Sequence, residues 1–489
     1  MKIRDISNFI EIPNTEEIDV DRNLTPTLCG NADDGSVLFI NKRVSEGYSI
    51  TPEEIIGNPY VIICDREYAK GLVGRKVMIS GNTRAAYAHA CYFHFGISNT
   101  RLRIIGVTGT NGKTTTATLI YHILNHAGIK CGMIGTGKIL CGERSMEKEH
   151  YSMTTPDPEI LYPTLAAMQS EGCDAVVMEV SSHSLALQKL SPLRFERGIF
   201  TNLSHEHMDF HKNQEDYFKA KLLLFDMCDG GIFNIDDEYS RRAYNDLRIP
   251  KSSVGIINKG DSYATDIIYH DASGSEFLYR EKGLITRVKS NLPGAFNIYN
   301  TLLAMRCAIE MGVTPKCAKD AIADIEAVEG RMETVHHSPN VIIDYAHTPF
   351  AMENVIKSLK SLNNKGQRLI VVFGCGGCRD KEKRPIMGNL ASIYADKIFI
   401  TEDNSRDEDR SLIIEDIVSG IRKNACYTVI PDRKDAILEA LKDAREYDTV
   451  LILGKGHEKY IIDKFGTHPF DERRIVSDFF TGKENPNEN

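Results

Sequence analysis

The chain has 489 residues and a formal net charge of -9, with 42% hydrophobic and 26% charged residues. One hydrophobic core rarely serves more than about 300 residues, so about two to four domains are expected. The acidic balance gives no support to a general nucleic-acid binder, and no run of about 18 apolar residues predicts a membrane span. Residues 1–5 lack the apolar segment of a secretory signal, so a cytoplasmic location is expected.

The first hundred residues predict a small domain of short strands and a helix. Apolar runs at 36–40 and 60–64 predict strands, and residues 83–95 predict a helix. The following link, Gly-Ile-Ser-Asn-Thr at 96–100, has the composition of a domain boundary. We therefore place an N-terminal domain at residues 1–97.

The next segment predicts a nucleotide site. An apolar strand over 104–107 runs into Gly-Thr-Asn-Gly-Lys-Thr-Thr at 109–115 and then into a helix. Backbone N–H groups in such a turn point at phosphate oxygens, Lys113 would reach the outer phosphates, and the Thr114 hydroxyl would ligate Mg²⁺. Val107 stands where the strict phosphate-loop pattern has its first glycine, but strand, turn, Lys-Thr and helix together indicate nucleotide binding.

Two further apolar runs, at 175–180 and 197–201, predict strands separated by helical segments. Alternating strands and helices indicate a mostly parallel sheet. Glu179 ends the first run beside the phosphate-loop strand, where a carboxylate is well placed to hold Mg²⁺.

Histidines and acids cluster after the second run, at His205, Glu206, His207, Asp209 and His211. A zinc site is one interpretation, but the spacing is not H-E-x-x-H and oxygen ligands suit a nucleotide enzyme better. We therefore favour His207 as a ligand of a second metal ion.

The strand and helix pattern restarts near residue 329. Four apolar runs predict strands, with helices between them, at 341–345, 369–374, 397–401 and 449–454. This pattern predicts a second open α/β domain, in which ligands bind at the carboxyl ends of the strands.

Cys375 and Cys378 form a C-x-x-C pair in a glycine-rich turn. A structural zinc site would need a second pair, and none is evident. A redox role is an alternative because Arg379 is adjacent, but we favour two incidental thiols. The twelve cysteines lack the spacing of a disulfide framework and are expected to be reduced.

Taken in order, the motifs resemble those of the Mur ligases, the ATP-dependent amide-forming family that builds the peptide of peptidoglycan. Besides the loop at 109–115, segments similar to family signatures lie at 154–158, 178–183, 292–300, 329–333, 344–349, 374–385 and 454–458. The match covers about residues 100–475. Within the family, the chain resembles the ligases that add the third residue of the peptide.

The resemblance implies a three-domain α/β architecture with a central P-loop domain on a parallel sheet and a Rossmann-like C-terminal domain. The N-terminal domain (1–97) would bind a UDP substrate, the central domain (98–328) ATP, and the C-terminal domain (329–489) the amino acid. ATP and Mg²⁺ would be the cofactors. The other partners would be small molecules, and the chain would act as a monomer.

The implied reaction is ATP-dependent ligation of a diamino acid to UDP-N-acetylmuramoyl-L-alanyl-D-glutamate. The γ-phosphate would pass to the substrate carboxylate, and the amine of the amino acid would attack the acyl phosphate. Lys113 and two Mg²⁺ ions would neutralise the charge of the transfer. The sequence does not identify the base that deprotonates the amine.

The resemblance also implies roles for individual residues. The residues that would bind ATP are Gly109, Thr110, Asn111, Gly112, Lys113, Thr114, Thr115, Asn297, Asn300, Arg331 and Asp344. The metal ligands would be Thr114, Glu179, His207 and Lys221, the last as a carbamate. The UDP substrate would contact Thr154, Thr155, Ser181 and Lys189. The amino acid would contact Arg379, Asn404, Arg406, Gly454 and Glu458.

The third residue of the peptide would be selected at Asp403-Asn404-Ser405-Arg406, where the usual diaminopimelate pattern is Asp-Asn-Pro-Arg. An arginine fits the extra carboxylate of meso-diaminopimelate bidentately and would repel the ammonium of lysine. We therefore favour meso-diaminopimelate, with L-lysine or another diamino acid as the alternative.

Several positions depart from the family's pattern. The Asp-Ser-Arg that normally precedes a Gly-x-x-Phe turn is missing from residues 29–39, Lys189 stands where arginine is common, Cys378 where aspartate is usual, and His205-Glu206 replaces Arg-Asp. These changes concern uridine recognition and leave the ATP residues intact. A paralogous ATP-dependent ligase acting on another carboxylate is therefore an alternative. A regulator without ligase activity is disfavoured, because it need not keep a second metal site.

Overall fold

The computed structural model describes residues 1–11, 18–42, 48–142, 144–146, 153–204, 206–208, 210–270, 274–362 and 366–482. These residues form three successive α/β units, each built on its own sheet, and one short hairpin. In this part of the chain, no helix is long and apolar enough to cross a membrane.

The first unit is a small, fully parallel sheet with one long helix. Its elements are β1 (Thr25–Thr27), β2 (Ser36–Phe39), β3 (Val61–Cys64), β4 (Val77–Ile79) and α1 (Thr83–His94). The strands pair in the order β1-β2-β3-β4. Asn82 caps α1 because its side chain accepts a hydrogen bond from Ala85 N.

The second unit is built on an eleven-stranded sheet. Its strands are β5 (Arg103–Thr108), β6 (Cys131–Gly135), β7 (Lys138–Cys141), β8 (Arg144–Ser145), β9 (Ala175–Glu179), β10 (Arg197–Phe200), β11 (Gly231–Asn234), β12 (Lys251–Gly255), β13 (Ser262–Tyr269), β14 (Ser275–Glu281) and β15 (Leu284–Ser290). Its helices are α2 (Lys113–His126), α3 (Pro158–Ser170), α4 (Ser182–Ala186), α5 (Gln214–Leu222), α6 (Glu238–Asp246), α7 (Ala295–Glu310) and α8 (Pro315–Asp324).

The strand order of this sheet is β15-β14-β13-β12-β11-β10-β5-β9-β6-β7-β8. The strands from β13 to β6 run parallel, and an antiparallel extension lies at each edge. The phosphate-loop strand β5 therefore lies in the middle, between β10 and β9. The segments that follow these three strands meet at one edge of the sheet.

The third unit contains a six-stranded sheet in the order β16-β17-β21-β18-β19-β20, in which only β16 is antiparallel to its neighbour. Its strands are β16 (Glu333–His337), β17 (Asn340–Asp344), β18 (Leu369–Phe373), β19 (Lys397–Ile400), β20 (Tyr427–Val429) and β21 (Thr449–Leu453), followed by the hairpin β22 (Tyr460–Asp463) and β23 (Gly466–Pro469). Its helices are α9 (Pro349–Leu362), α10 (Lys383–Tyr394), α11 (Arg410–Ser419), α12 (Arg433–Asp443) and α13 (Glu472–Thr481).

One hydrophobic core joins the first two units. Buried residues of the N-terminal unit, such as Ile3 and Phe39, belong to the same cluster as Leu165 and Phe200 of the central unit. The third sheet has a separate apolar cluster on each face. The N-terminal unit is thus packed on the central unit through a continuous apolar contact.

The α/β fold predicted from the sequence is confirmed, and each strand predicted from an apolar run ends within one residue of its predicted limit. The strands β12 to β15 extend the central sheet beyond what the apolar runs predicted. The expected boundaries after residues 97 and 328 fall between the sheets. The domain limits themselves stay predictions.

A buried ion pair in the C-terminal unit leads to the first prediction. Arg433 and Glu472 are both 0% exposed, and Arg433 Nε donates to Glu472 Oε1 at 2.8 Å. Glu472→Ala would leave the guanidinium buried without its hydrogen-bonded carboxylate, so we expect a loss of about 3–5 kcal/mol in the free energy of unfolding. Urea denaturation followed by circular dichroism would measure it.

Glu439→Ala is the matched control, because Glu439 pairs with Lys442 at the surface at 2.6 Å. That pair should contribute less than about 1 kcal/mol. If Glu472→Ala and Glu439→Ala lost equal amounts of unfolding free energy, the prediction that the buried pair contributes more than the exposed pair would be wrong.

Candidate active site

The loop between β5 and α2 has a conformation that requires glycine at two positions. Gly109 and Gly112 have φ angles of 143° and 83°. A Cβ atom on Gly109 would lie 1.9 Å from Thr201 Oγ1, and one on Gly112 would lie 2.4 Å from Asn300 Oδ1. The loop is therefore held closely between the end of β10 and α7. The first N–H groups of α2 lack helical partners, which makes this loop suitable for phosphate.

Two lysines meet at this loop. Lys113 Nζ donates to the carbonyl oxygens of Gly109 and Thr110 at 2.9 and 2.8 Å, and Lys221 Nζ donates to the same Gly109 oxygen at 2.8 Å. Burial lowers the pKa of Lys113. Burial also lowers the pKa of Lys221 well below its usual range, and the charge of Lys113 lowers it further. Folding therefore shifts Lys221 toward its neutral amine form.

Glu179 is fully buried at the end of β9. Its Oε2 accepts hydrogen bonds from Thr114 Oγ1 at 3.0 Å and Thr136 Oγ1 at 3.2 Å, and its Oε1 accepts one from Thr136 N at 2.9 Å. Arg331 Nη2 donates to Thr114 Oγ1 at 2.9 Å. The predicted pair Thr114 and Glu179 is thus in direct contact beside the phosphate loop.

The Thr114 hydroxyl and the Glu179 carboxylate fit Mg²⁺, which prefers oxygen ligands and takes most of them from phosphate and water. Among the described residues, no three His, Cys, Asp or Glu side chains form a metal cluster. A magnesium ion shared with a nucleotide does not need such a cluster, because one or two carboxylates suffice.

His207 and Lys221 both lie close to the Tyr217 ring. The His207 ring is 5.9 Å from the Tyr217 ring, centroid to centroid, and Lys221 Nζ is 4.4 Å from the Tyr217 centroid. The neighbouring Glu206 lines the phosphate-loop cavity together with His207, and its charge opposes the lowering of the Lys221 pKa. The two residues predicted for a second metal ion therefore lie beside the same tyrosine, and their role as metal ligands stays a prediction.

The zinc interpretation of the histidine cluster gains no support. His205 and Asp209 lie outside the described residues. His211 Nε2 lies 2.9 Å from Ser182 Oγ, in a buried position.

The predicted nucleotide residues on α7 form a chain of amides. Asn297 Nδ2 donates to Pro293 O at 2.7 Å, and Asn300 Nδ2 donates to Asn297 Oδ1 at 2.9 Å. These bonds orient Asn300 Oδ1 toward Gly112, where it also accepts from Thr116 Oγ1 at 3.3 Å. Asn297 and Asn300 therefore support the phosphate loop from the side of α7.

Asp344 and Arg331 approach the same loop from the C-terminal unit. Asp344 accepts hydrogen bonds from Met332 N and Ala346 N at 2.8 and 2.7 Å, and burial raises the pKa of Asp344 against the effect of Arg331. The Arg331 guanidinium lies 4.6 Å from the centroid of the Tyr345 ring. These contacts fix a cation from the third unit beside Thr114 of the second.

The residues predicted to contact the UDP substrate do not all meet. Thr154 Oγ1 lies 3.0 Å from Thr136 Oγ1, near the phosphate loop. Thr155 Oγ1 donates to Glu179 O at 2.9 Å and accepts from Ser181 N at 3.0 Å. Thr155 and Ser181 are thus packed behind Glu179.

Lys189 lies at the junction of the first two units. Its Nζ is 2.5 Å from Asp157 Oδ1, and the adjacent Gln188 accepts a hydrogen bond from Asn82 Nδ2 of the N-terminal unit at 2.6 Å.

The N-terminal stretch that departs from the family pattern, residues 29–39, packs closely against Gly57, because a Cβ atom on Gly57 would lie 2.3 Å from Ala32 O.

Two cavities adjoin at the site. The phosphate-loop cavity has a volume of about 610 Å³ and is lined by residues 110–115, Thr154, Glu179, Asn300, Arg331 and Asp344, among others. The C-terminal cavity has a volume of about 970 Å³, and all five predicted amino-acid residues line it: Arg379, Asn404, Arg406, Gly454 and Glu458. The two cavities share a wall formed by Glu206, His207, Tyr345, His347, Thr348 and Phe350.

Hydrogen bonds orient the amino-acid residues. Asn404 Nδ2 donates to Glu458 Oε2 at 2.9 Å. Arg406 Nη1 donates to Gly377 O and Asn404 O at 3.0 and 3.1 Å. Gly454 has a φ of 113°, and a Cβ atom there would lie 2.6 Å from Asp403 Oδ2. Cations and an acid therefore face the same space.

The sequence did not single out several residues of the site. Thr136 binds Glu179, Lys455 lies behind Asn404, and His347 lies in the shared wall, where burial lowers its pKa to about 4. Lys455 and His347 fall inside motifs that the sequence does display, Gly-Lys-Gly-His-Glu and Asp-Tyr-Ala-His-Thr-Pro. No comparable signal marks Thr136.

Cys375 and Cys378 are both free thiols. Burial raises the pKa of Cys375 to about 12, so its reactive thiolate form is scarce, and Cys378 is exposed. These properties agree with incidental thiols.

Comparisons with known proteins agree with this geometry. The family model of the Mur ligase middle domain matches residues 107–308, and that of the Mur ligase glutamate ligase domain matches residues 330–456. The chain is 38% identical over 449 residues to UDP-N-acetylmuramoyl-L-alanyl-D-glutamate–2,6-diaminopimelate ligase 1 of Clostridium acetobutylicum, covering 91% of this chain and 92% of that protein.

A second relative spans nearly the whole length. The corresponding ligase of Clostridioides difficile is 37% identical over 488 residues, covering 98% of this chain and 99% of that protein. A solved structure of a UDP-N-acetylmuramoyl-L-alanyl-D-glutamate–2,6-diaminopimelate ligase superposes with a TM-score of 0.69 at 26% identity, covering 99% of both chains.

The depressed pKa of Lys221 predicts a pH-dependent stability. The unfolded chain, in which the lysine pKa is 10.5, binds a proton that the folded chain disfavours. The stability of the protein should therefore rise with pH between the folded and unfolded pKa values. Lys221→Met removes this group, so the variant should be more stable at about pH 7 and its stability should depend less on pH.

Denaturant midpoints at about pH 7, 8 and 9, in buffers purged of CO₂, would measure the slope. Lys219→Met, which changes an exposed lysine of the same helix, is the control and should keep the slope of the unchanged protein. An identical slope in Lys221→Met would contradict the assignment of a neutral amine.

Proposed function

The chain belongs to the Mur ligase family, and we propose that it joins meso-diaminopimelate to UDP-N-acetylmuramoyl-L-alanyl-D-glutamate while ATP is cleaved to ADP and phosphate. The relatives that bear this name support the proposal. The observation that carries it is the wall shared by the two cavities. A carboxyl group activated beside Lys113 would lie next to an amine held in the C-terminal cavity.

In the first step, the γ-phosphoryl group of ATP is transferred to an oxygen of the substrate carboxylate, and ADP leaves as its bond to that group breaks. Catalysis of such a transfer depends on positioning and on neutralising charge. Lys113 and Arg331 would place two cations at the phosphates. Asn297 and Asn300 would keep Gly112 and its neighbours in the conformation that cradles them.

Thr114 and Glu179 would hold one Mg²⁺, and His207 and Lys221 a second. Bound Mg²⁺ would neutralise negative charge on the phosphates. A protonated Lys221 would repel a metal ion, but a neutral amine can add to CO₂, forming a carbamate anion and releasing a proton. The low pKa of Lys221 supports this conversion.

In the second step, the amine of the amino acid attacks the acyl phosphate, the C–N bond forms and phosphate leaves. The tetrahedral intermediate carries a negative oxygen that a fixed cation can stabilise. We assign this role to Lys113, because hydrogen bonds to the phosphate loop hold its Nζ in place. The shared wall, with the aromatic rings of Tyr345 and Phe350, would keep water from the acyl phosphate.

The choice of amino acid would depend on Asn404, Arg406 and Glu458. One amine of meso-diaminopimelate forms the new bond to the substrate. The far end of the molecule then still carries one free ammonium and one free carboxylate. Glu458 would bind that ammonium, and Arg406 would bind that carboxylate. L-Lysine offers only the ammonium. The nucleotide end of the substrate would lie toward Thr154 and Lys189, between the first two units.

The direct test is release of phosphate from ATP in the presence of the UDP-muramoyl dipeptide and a panel of amino acids. We expect release that requires both the nucleotide and meso-diaminopimelate. Dependence on L-lysine would keep the reaction and overturn the role of Arg406. No stimulation by the UDP-muramoyl dipeptide, in protein that binds ATP, would favour a paralogous ligase with another carboxylate substrate.

Lys221→Ala tests the carbamate. We expect ligation to fall by at least about a thousandfold, because the variant cannot supply the anionic ligand, and to recover in part when a small carboxylate such as acetate is added. Initial rates with and without acetate would measure this. Lys219→Ala should be fully active. Full activity of Lys221→Ala would exclude a carbamate at this position.

A further inference from the structure

The side-chain amide of Asn404 has only one possible orientation. Its Oδ1 atom lies 3.0 Å from Lys455 Nζ and 2.9 Å from Ile462 N. An ammonium and a backbone N–H can only donate, so the atom facing them must be the oxygen. The Nδ2 group is therefore turned to Glu458 Oε2, at 2.9 Å, and to the C-terminal cavity that both residues line.

Lys455 is the side chain that imposes this orientation. It is 0% exposed and lies outside the described lining of the C-terminal cavity. Its Nζ also contacts Glu458 Oε2 at 3.2 Å and Asp403 Oδ1 at 3.6 Å. One buried cation thus contacts three residues that line the cavity, Asp403, Asn404 and Glu458.

The charge of Lys455 also favours the ionised form of Glu458. Burial raises the pKa of Glu458, whereas Lys455 and Asn404 lower it. Without Lys455, the Glu458 carboxylate would more readily take up a proton and lose its attraction for an ammonium. The Asn404 amide would lose one of the two donors that hold its oxygen.

We propose that Lys455 is a positioning residue that sets the polarity of the amino-acid site, with an N–H donor on Asn404 and a negative acceptor on Glu458. This pattern complements a free amino-acid end, which carries both a carboxylate and an ammonium. It distinguishes meso-diaminopimelate from L-lysine, whose far end carries the ammonium alone. The inference rests on the proposed function and adds Lys455, which acts on the amino acid through Asn404 and Glu458.

The test compares Lys455→Met with the unchanged protein in the phosphate-release assay. We expect KM for meso-diaminopimelate to rise about 10- to 100-fold, with KM for ATP unchanged and kcat little affected. The preference for meso-diaminopimelate over L-lysine in kcat/KM should fall by about tenfold or more. Lys455→Gln keeps an N–H donor but loses the charge, so its KM for meso-diaminopimelate should lie between those of the unchanged protein and Lys455→Met.

Lys397→Met is the matched control, because Lys397 is partly buried in the same unit and pairs with Asp443 at 2.7 Å, away from the cavity. Its KM values should not change. In an Asn404→Ala background, Lys455→Met should raise KM by a smaller factor than it does alone, since part of its effect passes through Asn404. Thermal midpoints would establish that each variant is folded.

An unchanged KM for meso-diaminopimelate in Lys455→Met, or an equal rise in KM for ATP, would overturn the inference and leave the proposed function standing. Fully additive effects with Asn404→Ala would also overturn it. If Lys455→Met does not fold, Lys455→Gln decides by the same criteria. If the unchanged protein releases phosphate with no amino acid, the proposed function fails and the inference fails with it.

Discussion

The buried carboxylate of Glu179 is the constraint on which the site depends. A charge removed from water must be compensated by hydrogen bonds, and Glu179 obtains them from Thr114 and Thr136. Its own carbonyl accepts from Thr155, and a Cβ atom on Gly135 would lie 2.4 Å from its Oε1. The α2 end of the phosphate loop, the turn after β6 and the segment after Thr154 are therefore all hydrogen-bonded to one residue.

The concentration of charge at the phosphate loop has a cost in stability that function explains. Lys113 and Lys221 donate to the same carbonyl oxygen, so the charge of Lys113 disfavours a charge on Lys221. Burial adds to this effect, and Glu206 offsets only part of it. A site that binds polyphosphate and metal ions gains most from groups that are held in place before the ligand arrives, even where they destabilise the free protein.

Sequence patterns predicted those parts of the molecule that depend on residues close together in the chain. Apolar runs such as 369–374 specified buried parallel strands, and glycines 109 and 112 specified a loop that approaches other backbone and side-chain atoms closely. The sequence could not show that Thr155 and Ser181 lie behind Glu179, because their contacts depend on how distant segments pack. The Gly-Lys-Gly-His-Glu motif displays Lys455, but the sequence could not show that this lysine is buried, because its burial depends on contacts with Asp403 and Asn404 of another loop.

The C-terminal cavity shows how such buried cations can organise a binding site. Arg433 donates to the carbonyl oxygens of Glu402 and Leu453, the residues that immediately precede Asp403 and Gly454, at 3.0 and 2.7 Å. It therefore fixes the starts of both ligand loops, while Lys455 fixes the side chains that they carry. Glu472 neutralises the first cation, and Asp403 and Glu458 neutralise the second. Both loops begin at the carboxyl ends of parallel strands. Arg433 and Lys455, which lie below the cavity surface, can therefore align the acid, amide and guanidinium groups of these loops without occupying the cavity itself.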